Sequence, residues 1–308
     1  MKNTIKINFV DFWDNFCKTD NYFYHLLSLK YKVEIDEKDP DFLFFSVGFN
    51  NKKEILKYVD KPCKKIFFTG ENIRPNLFFP GSIHQGRYEI YKSDFSFSFD
   101  YSKDPRNYRL PLWVLFINWF NVEHNDLRDI SYLINPKTLL DREFFKKDKF
   151  CNFIFSNNQG KRIEILQSIE KYKKIDCAGK LFNNMPNIQG RGDQKYKIDF
   201  LKNYKFTIAS ENSKYDGYTT EKLLHPLSVG SIPIYWGSSR VTEDFNKNCF
   251  INVDDFESLE DLVTHIQFVD ANKQAYEEYI LSPIFTDNKI PDCIKPENVL
   301  NFFEEKIL

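Results

Sequence analysis

The sequence lacks the features that would place the chain in a membrane or on a secretory route. Its longest apolar-rich segment, Leu110–Phe120, is interrupted by Pro111 and Asn118, whereas a membrane span needs roughly 18 consecutive apolar residues. Residues 1–16 carry two acidic side chains and no apolar core of signal-peptide length. We therefore expect a soluble, cytoplasmic protein without a transmembrane segment.

The chain also lacks a strong charge imbalance and any paired cysteine motif. Its net charge is −1 at pH 7 over 308 residues, so it does not have the overall basic character of a general nucleic-acid binder. None of its six cysteines forms a Cys-x-x-Cys pair, which leaves a zinc or redox motif without support. We expect reduced thiols and no nucleic-acid partner.

Short apolar runs alternate with amphipathic stretches along the chain. Lys65–Thr69, Lys205–Ser210 and Ser231–Trp236 are typical of strands, and Arg162–Tyr172 has apolar residues at helical spacing. Strands that alternate with helices predict parallel sheets with right-handed crossovers. A length of 308 residues allows two domains of about 150 residues each. The sequence thus predicts an α/β protein, and the polar stretch Asp141–Lys149 is the best candidate for the boundary between its two domains.

The strongest candidate site follows the predicted strand Lys205–Ala209. Thr219 or Thr220 can cap a new helix by accepting a hydrogen bond from an unpaired N–H group. Glu221 and Lys222 then lie in the first turn, where unpaired N–H groups and the positive end of the helix dipole favour an anion. A pyrophosphate fits this position, with Glu221 accepting from ribose hydroxyls. The same two side chains are also compatible with a solvated ion pair on a surface helix.

The motifs of the second half resemble one family of glycosyltransferases. Four segments carry the resemblance: Phe206–Lys222 (with SENSKYDGYTTEK), Ser231–Ser238 (SIPIYWGS), Val241–Asn246 and Phe250–Phe256. They are similar to the donor-binding signature of the α1,3/4-fucosyltransferases, which form glycosyltransferase family 10. The resemblance is clear from about Phe150 to Phe268. The first half is similar more weakly, through Phe67–Asn72 and Tyr108–Leu112.

This resemblance implies the GT-B architecture, in which two Rossmann-like domains face each other across a cleft. It implies a soluble bacterial-like or viral member that transfers L-fucose from GDP-fucose with inversion. Residues 1–150 would bind the acceptor and residues 151–290 would bind GDP-fucose. Residues 291–308 would form a terminal helix that packs back on the first domain. The expected acceptor is an oligosaccharide such as N-acetyllactosamine, with O3 of N-acetylglucosamine (GlcNAc) as the expected position.

The resemblance also implies roles for individual residues of the donor site. Glu221 should bind the ribose, and Lys222 should bind the diphosphate. Asn212 and Tyr218 should lie beside the phosphates and the sugar. Arg162 opens the predicted helix of the second half and matches the family's diphosphate-binding arginine.

Two positions carry alternatives that the residues leave open. A guanidinium at Arg162 can reach phosphate oxygens in bidentate fashion, but the adjacent Lys161 is a cationic rival. Glu71 follows the predicted strand Lys65–Thr69, and an inverting transfer needs one base to take the proton of the acceptor hydroxyl. The resemblance gives this role to Glu71, whereas the residue type alone fits a solvated loop glutamate.

No metal or further cofactor is expected beside the donor substrate. Asp39 and Asp41 form an Asp-x-Asp pattern, but they precede a predicted strand instead of following one. Arg162 and Lys222 can offset the charge of the leaving group without a metal. Two alternatives stay open at this point: a transferase for another sugar nucleotide, and a non-catalytic carbohydrate-binding relative.

Overall fold

The computed structural model describes residues 2–48, 54–72, 93–122, 128–134, 146–186, 188 and 194–308. Cα proximity divides the chain into two compact units, Met1–Leu115 with Asp292–Leu308, and Phe116–Pro291. The second unit thus begins before residue 150, and Phe116 packs its ring edge-on against His225 of that unit at 5.2 Å between centroids. Both units are α/β with parallel sheets, which confirms the predicted fold class. The assignment of acceptor and donor to the two halves stays a prediction.

The described residues form the following regular elements. The strands are β1 (Thr4–Val10), β2 (Lys32–Ile35), β3 (Phe42–Phe45), β4 (Lys64–Thr69), β5 (Phe95–Ser98), β6 (Asn107–Arg109), β7 (Ile117–Asn118), β8 (Arg128–Asp129), β9 (Lys149–Phe153), β10 (Asp176–Cys177), β11 (Tyr204–Ser210), β12 (Ile232–Trp236) and β13 (Ile251–Asn252). The α-helices are α1 (Tyr22–Ser28), α2 (Ile130–Ile134), α3 (Arg162–Glu170), α4 (Gln194–Leu201), α5 (Glu221–Ser228), α6 (Leu259–Ala271), α7 (Lys273–Leu281) and α8 (Pro296–Phe302).

The first unit is built on a parallel sheet with the strand order β2-β1-β3-β4-β5-β6. All four residues of β3 are buried, as are the last four of β4. A strand that is covered on both faces has a continuous apolar sequence, because neither set of alternating side chains faces water. The sequence of β3, Phe-Leu-Phe-Phe, is of this kind. Strand β4 confirms the prediction made for Lys65–Thr69 and begins one residue earlier.

The end of the chain belongs to the core of the first unit. Phe303 is buried and its ring lies 5.0 Å from that of Phe42 and 6.4 Å from that of Phe44, measured between centroids. Lys64 at the start of β4 donates from Nζ to the carbonyl of Leu308 at 3.1 Å. Glu304 accepts from the hydroxyl of Tyr31 at 2.6 Å. These contacts anchor α8 and the turn after it beside the amino-terminal sheet.

The second unit has a parallel sheet with the order β10-β9-β11-β12-β13. Helices α3, α6 and α7 contribute buried apolar side chains to the core that covers this sheet. Because all pairs are parallel, the carboxyl ends of the strands lie along one edge, and loops from neighbouring strands meet there. No helix among the described residues is long and apolar enough to cross a membrane.

Candidate functional site

The candidate donor site lies at the carboxyl edge of the second sheet. Strand β11 ends at Ser210 and is followed by Glu211 and Asn212, while the loop after β9 leads to Arg162 at the first position of α3. Since β9 and β11 are hydrogen-bonded neighbours, these residues meet although about 50 residues separate them in the sequence. Five of the six predicted site residues, Arg162, Asn212, Tyr218, Glu221 and Lys222, belong to this unit.

Helix α5 begins where the sequence predicted an anion-binding helix start. Thr220 has an extended backbone (φ −120°), and its Oγ1 accepts from the backbone N–H of Lys222 at 3.4 Å. Thr220, and not Thr219, is therefore the capping residue. Gly217 has a φ of +83° and donates its N–H to Ser238 Oγ at 2.9 Å. This turn brings the buried Tyr218 and the start of α5 beside the end of β12.

Glu211 has several polar contacts in the site. Its side chain is 0% exposed, and its carboxylate accepts from the N–H of Thr220 at 2.7 Å and from the Thr220 hydroxyl at 2.9 Å. It also accepts from Lys222 Nζ at 3.1 Å. Sequence reasoning gave Glu211 no role. The available signal was a glutamate placed directly after a strand of buried residues, where an unpaired charge would be costly.

Arg162 is almost completely buried, with 2% of the residue exposed. An arginine that bound a diphosphate at the surface would be more accessible to solvent. Its Nη2 donates to the carbonyl of Ser210 at 2.9 Å and to Asn212 Oδ1 at 2.6 Å. Its Nη1 donates to the carbonyl of Asn157 at 3.2 Å and to the side chain of that residue. Burial lowers the pKa of Arg162, while the nearby Glu211 opposes this shift. Lys161, the rival from the sequence, is exposed.

Glu221 is held between two cations at the start of α5. Its side chain is 17% exposed and lies 3.3 Å from Lys197 Nζ of helix α4. Burial by itself would raise the pKa of Glu221, but Lys222, Lys197 and His225 together bring it well below its usual range. Glu221 therefore stays ionised, and it can accept hydrogen bonds from hydroxyl groups.

The glycine after β12 allows the backbone to approach this network. A Cβ atom built on Gly237 would lie 2.4 Å from the hydroxyl oxygen of Tyr235 and 2.7 Å from Cγ of Glu211. Tyr235 accepts from the N–H of Ser238 at 2.9 Å through the same hydroxyl. A larger residue at position 237 would force Tyr235, Glu211 or the backbone to shift.

Glu71 lies in the first unit, just beyond the carboxyl end of β4. Its N–H donates to Thr69 Oγ1 at 3.0 Å, and the Thr69 hydroxyl donates back to the Glu71 carbonyl at 3.1 Å. A Cβ atom on Gly70 would lie 2.6 Å from the side chain of Leu112. These contacts hold the backbone of residues 69–71, and the partly buried Glu71 side chain follows a strand end where α/β proteins carry functional groups.

The Asp-x-Asp pattern lies at the opposite edge of the first sheet. Asp41 precedes β3 and accepts from the backbone N–H of Lys6 at 2.8 Å. Asp39 lies 3.6 Å from Lys61 Nζ. In the described part of the chain, no group of three His, Cys, Asp or Glu side chains is arranged to hold a metal ion. The two aspartates thus have structural contacts at the amino ends of the strands.

Two family models match most of the chain. The model described as glycosyltransferase family 10 (fucosyltransferase) C-term matches residues 144–281, and the model of the alpha-(1,3)-fucosyltransferase FucT N-terminal domain matches residues 7–116. A putative fucosyltransferase of Acanthamoeba polyphaga mimivirus is 34% identical over 179 residues, which are 56% of this chain and 28% of that protein. Alpha-(1,3)-fucosyltransferase FucT of Helicobacter pylori is 25% identical over 82% of this chain and 54% of its own length.

The chain spans about a quarter to a half of the length of these curated relatives. A solved structure of alpha1,3-fucosyltransferase with GDP-fucose superimposes with a TM-score of 0.70 at 22% identity, covering 99% of this chain and 90% of that one. This likeness shows the fold, a GT-B arrangement of two Rossmann-like units.

The charge environment of Glu221 makes a testable prediction about stability and pH. The pKa of Glu221 is lower in the folded protein than in the unfolded chain, where it is near 4.5. Ionised Glu221 therefore stabilises the fold at pH values above 4.5, and this stabilisation is lost as the pH falls towards the pKa of the folded state. Wild type should therefore be more stable than Glu221→Gln by about 1–3 kcal/mol at pH 7, and the difference should shrink below pH 4.5. Denaturant unfolding across pH 3–7 measures this difference.

The matched control is Glu260→Gln, since the Glu260 side chain is 76% exposed and lies 3.8 Å from Lys171. This control should unfold like wild type throughout the pH range. A Glu221→Gln difference that stays constant or grows towards acid pH would show that the carboxylate is not stabilised by its cationic neighbours.

Proposed function

The chain belongs to the α1,3/4-fucosyltransferase family, glycosyltransferase family 10, and from this premise we propose that it transfers L-fucose from GDP-fucose to a glycan. The proposed reaction inverts the configuration at C1 of fucose. The proposed acceptor is an oligosaccharide such as N-acetyllactosamine, with O3 of GlcNAc as the attacking hydroxyl. The proposal rests on the cluster formed by Arg162, Glu221 and Lys222. This cluster lies at the start of helix α5 and at the strand ends beside it.

Lys222 is the group best placed to bind the diphosphate. Its side chain is 25% exposed, in contrast to the almost completely buried Arg162. It lies in the first turn of α5, where the helix dipole also attracts negative charge. A flexible ammonium group at such a position supports charge-assisted hydrogen bonds to phosphate oxygens. Glu221 on the same turn is ionised and suits hydrogen bonds from the ribose hydroxyls.

Arg162 and Asn212 support the diphosphate in a different way. The guanidinium is used in hydrogen bonds to Asn157, Ser210 and Asn212, so it fixes the loop after β9 against the end of β11. Its positive charge lies in a dry environment, where it acts over a longer range than in water. In this proposal Arg162 orients Asn212 and stabilises the charge that builds on GDP. Tyr218, buried beside the cap of α5, borders the sugar.

Glu71 serves as the general base in the proposed reaction. The acceptor oxygen attacks C1 of fucose while its proton passes to the Glu71 carboxylate. The bond between C1 and the β-phosphate oxygen breaks, and its electron pair leaves with GDP. Lys222 and Arg162 then offset the additional negative charge on the diphosphate. The position of Glu71 after β4 and the hydrogen bond from its N–H to Thr69 support this role.

No divalent metal takes part in the proposed reaction. Arg162 and Lys222 supply positive charge at the candidate donor site, and the Asp-x-Asp pair has contacts at the other edge of the first sheet. A diphosphate leaving group needs compensating positive charge, which side chains can supply in place of a metal. Metal independence is therefore part of the proposal.

The proposed function is tested by the release of nucleoside diphosphate over a panel of donors. The purified chain is incubated with GDP-fucose, GDP-mannose, UDP-galactose or UDP-glucose, with and without N-acetyllactosamine, and with and without excess chelator. We expect acceptor-dependent release of GDP from GDP-fucose, and we expect it to persist in chelator because Arg162 and Lys222 carry the positive charge.

Turnover of a UDP-sugar but not of GDP-fucose would favour a transferase for another sugar nucleotide. Glycan binding without turnover of any donor would favour the non-catalytic relative. Activity that is lost in chelator and restored only by Mn²⁺ or Mg²⁺ would show that the reaction needs a metal.

The assigned base makes a second prediction about transfer. Glu71→Gln keeps the shape of the side chain but cannot accept a proton at neutral pH, and general-base assistance contributes roughly 10²–10⁴-fold. Transfer should fall by about that factor, while GDP affinity and melting temperature should stay near those of wild type. Initial rates, GDP titration and thermal unfolding measure the three quantities.

Glu54→Gln is the control for Glu71→Gln in the same unit, since the Glu54 side chain is half exposed and pairs with Lys57. It should transfer like wild type. Near-normal transfer by Glu71→Gln would remove Glu71 from the mechanism. Transfer and GDP affinity that fall together would give Glu71 a structural role instead.

A further inference from the structure

Glu211 places a negative charge close to a site that is proposed to bind a diphosphate. Its side chain is fully buried, and a buried carboxylate is retained only when hydrogen bonds or opposite charges compensate for its lost hydration. An acid next to a bound diphosphate also repels that ligand. The presence of Glu211 at this position therefore requires a contribution that outweighs both costs.

The contacts of the two carboxylate oxygens show what that contribution is. Oε1 accepts from the N–H of Thr220 at 2.7 Å and from its hydroxyl at 2.9 Å. Oε2 lies 2.9 Å from the same hydroxyl and accepts from Lys222 Nζ at 3.1 Å. The amine of Lys222 donates in addition to Thr220 Oγ1 at 3.0 Å. One side chain thus holds both the capping residue of α5 and the terminal amine of Lys222.

The main chain of Glu211 is equally fixed. Its N–H donates to the carbonyl of Trp236 at 2.9 Å, which joins the ends of β11 and β12. Gly237 leaves space for the Glu211 side chain, because a Cβ atom there would lie 2.7 Å from its Cγ atom. The carboxylate is therefore a rigid reference point of the sheet edge, and the long, rotatable side chain of Lys222 is fastened to it.

We propose that Glu211 is a positioning residue of the donor site: it holds the Lys222 ammonium and the start of α5 in the arrangement that binds the diphosphate. This inference rests on the proposed function. A lysine side chain loses much rotational freedom when it binds a ligand. Because Glu211 and Thr220 already hold Lys222 in place, this entropy cost does not weaken the binding of GDP. Glu211 acts through Lys222 and makes no contact with the donor of its own.

The variant Glu211→Gln separates this role from a simple electrostatic effect. If Glu211 contributed only negative charge beside the diphosphate, its neutralisation would tighten the binding of GDP. If Glu211 positions Lys222, binding should weaken, since a glutamine presents an N–H₂ group to an ammonium that can only donate. The two accounts therefore predict changes of opposite sign.

The experiment is a double-mutant cycle read by GDP affinity, with wild type, Glu211→Gln, Lys222→Ala and the double variant. A charge-assisted contact is worth about 1.5–3 kcal/mol, so Glu211→Gln should weaken GDP binding by about 10- to 100-fold in the wild-type background. In the Lys222→Ala background the same change should alter affinity by less than about threefold, because the effects of substitutions at two interacting residues are not additive. Glu260→Gln should bind GDP like wild type.

Tighter or unchanged binding by Glu211→Gln would overturn the proposal, as would an equal loss of affinity in both backgrounds. If Glu211→Gln does not fold, Thr220→Val and Thr220→Ser decide, since only the valine removes the hydroxyl that links Glu211 to Lys222. Weaker GDP binding by Thr220→Val with near-normal binding by Thr220→Ser supports the proposal, and equal binding by both overturns it. A wild-type chain that binds no GDP would overturn the proposed function as well.

Discussion

The burial of opposite charges at the carboxyl edge of the second sheet is the constraint on which the rest of the candidate site depends. Arg162 and Glu211 are both almost inaccessible to water, so each must be satisfied by protein groups. Arg162 forms hydrogen bonds through its two terminal nitrogens, to Asn157 five residues earlier and to the segment with Ser210 and Asn212 about 50 residues later. Glu211 meets it by holding the start of α5. The geometry of the site follows from the compensation of these charges.

Several features of this arrangement follow from the sequence because they depend on local patterns. Thr220 caps α5 since a hydroxyl before a helical run satisfies an unpaired N–H group. Strands β3 and β12 are apolar runs in which every residue is buried. Glu221 and Lys222 then fall in the first turn without reference to any distant residue. Local physics was sufficient to predict the start of α5 and the strands β4, β11 and β12.

Other features depend on contacts between distant segments and could not be predicted. The pairing of Lys197 with Glu221 requires that α4 pack beside α5, which no spacing in the sequence indicates. The burial of Arg162 depends on the carbonyl of Ser210, at the end of β11, which accepts one of its hydrogen bonds. Likewise, Phe303 completes the core of the first unit although it lies at the other end of the chain. The sequence analysis therefore identified Arg162, Glu221 and Lys222 but missed their partners Glu211 and Lys197.

The central claim is that Glu221 and Lys222 at the start of α5 bind the GDP portion of the donor. A crystal structure of the chain with GDP-fucose, determined under conditions that saturate the site, tests this claim most directly. The account predicts a diphosphate oxygen within hydrogen-bond distance of Lys222 Nζ and the ribose hydroxyls on the Glu221 carboxylate, with Glu211 still bonded to Lys222. A nucleotide bound elsewhere, or one bound at this edge without contact to Lys222 and Glu221, would contradict it.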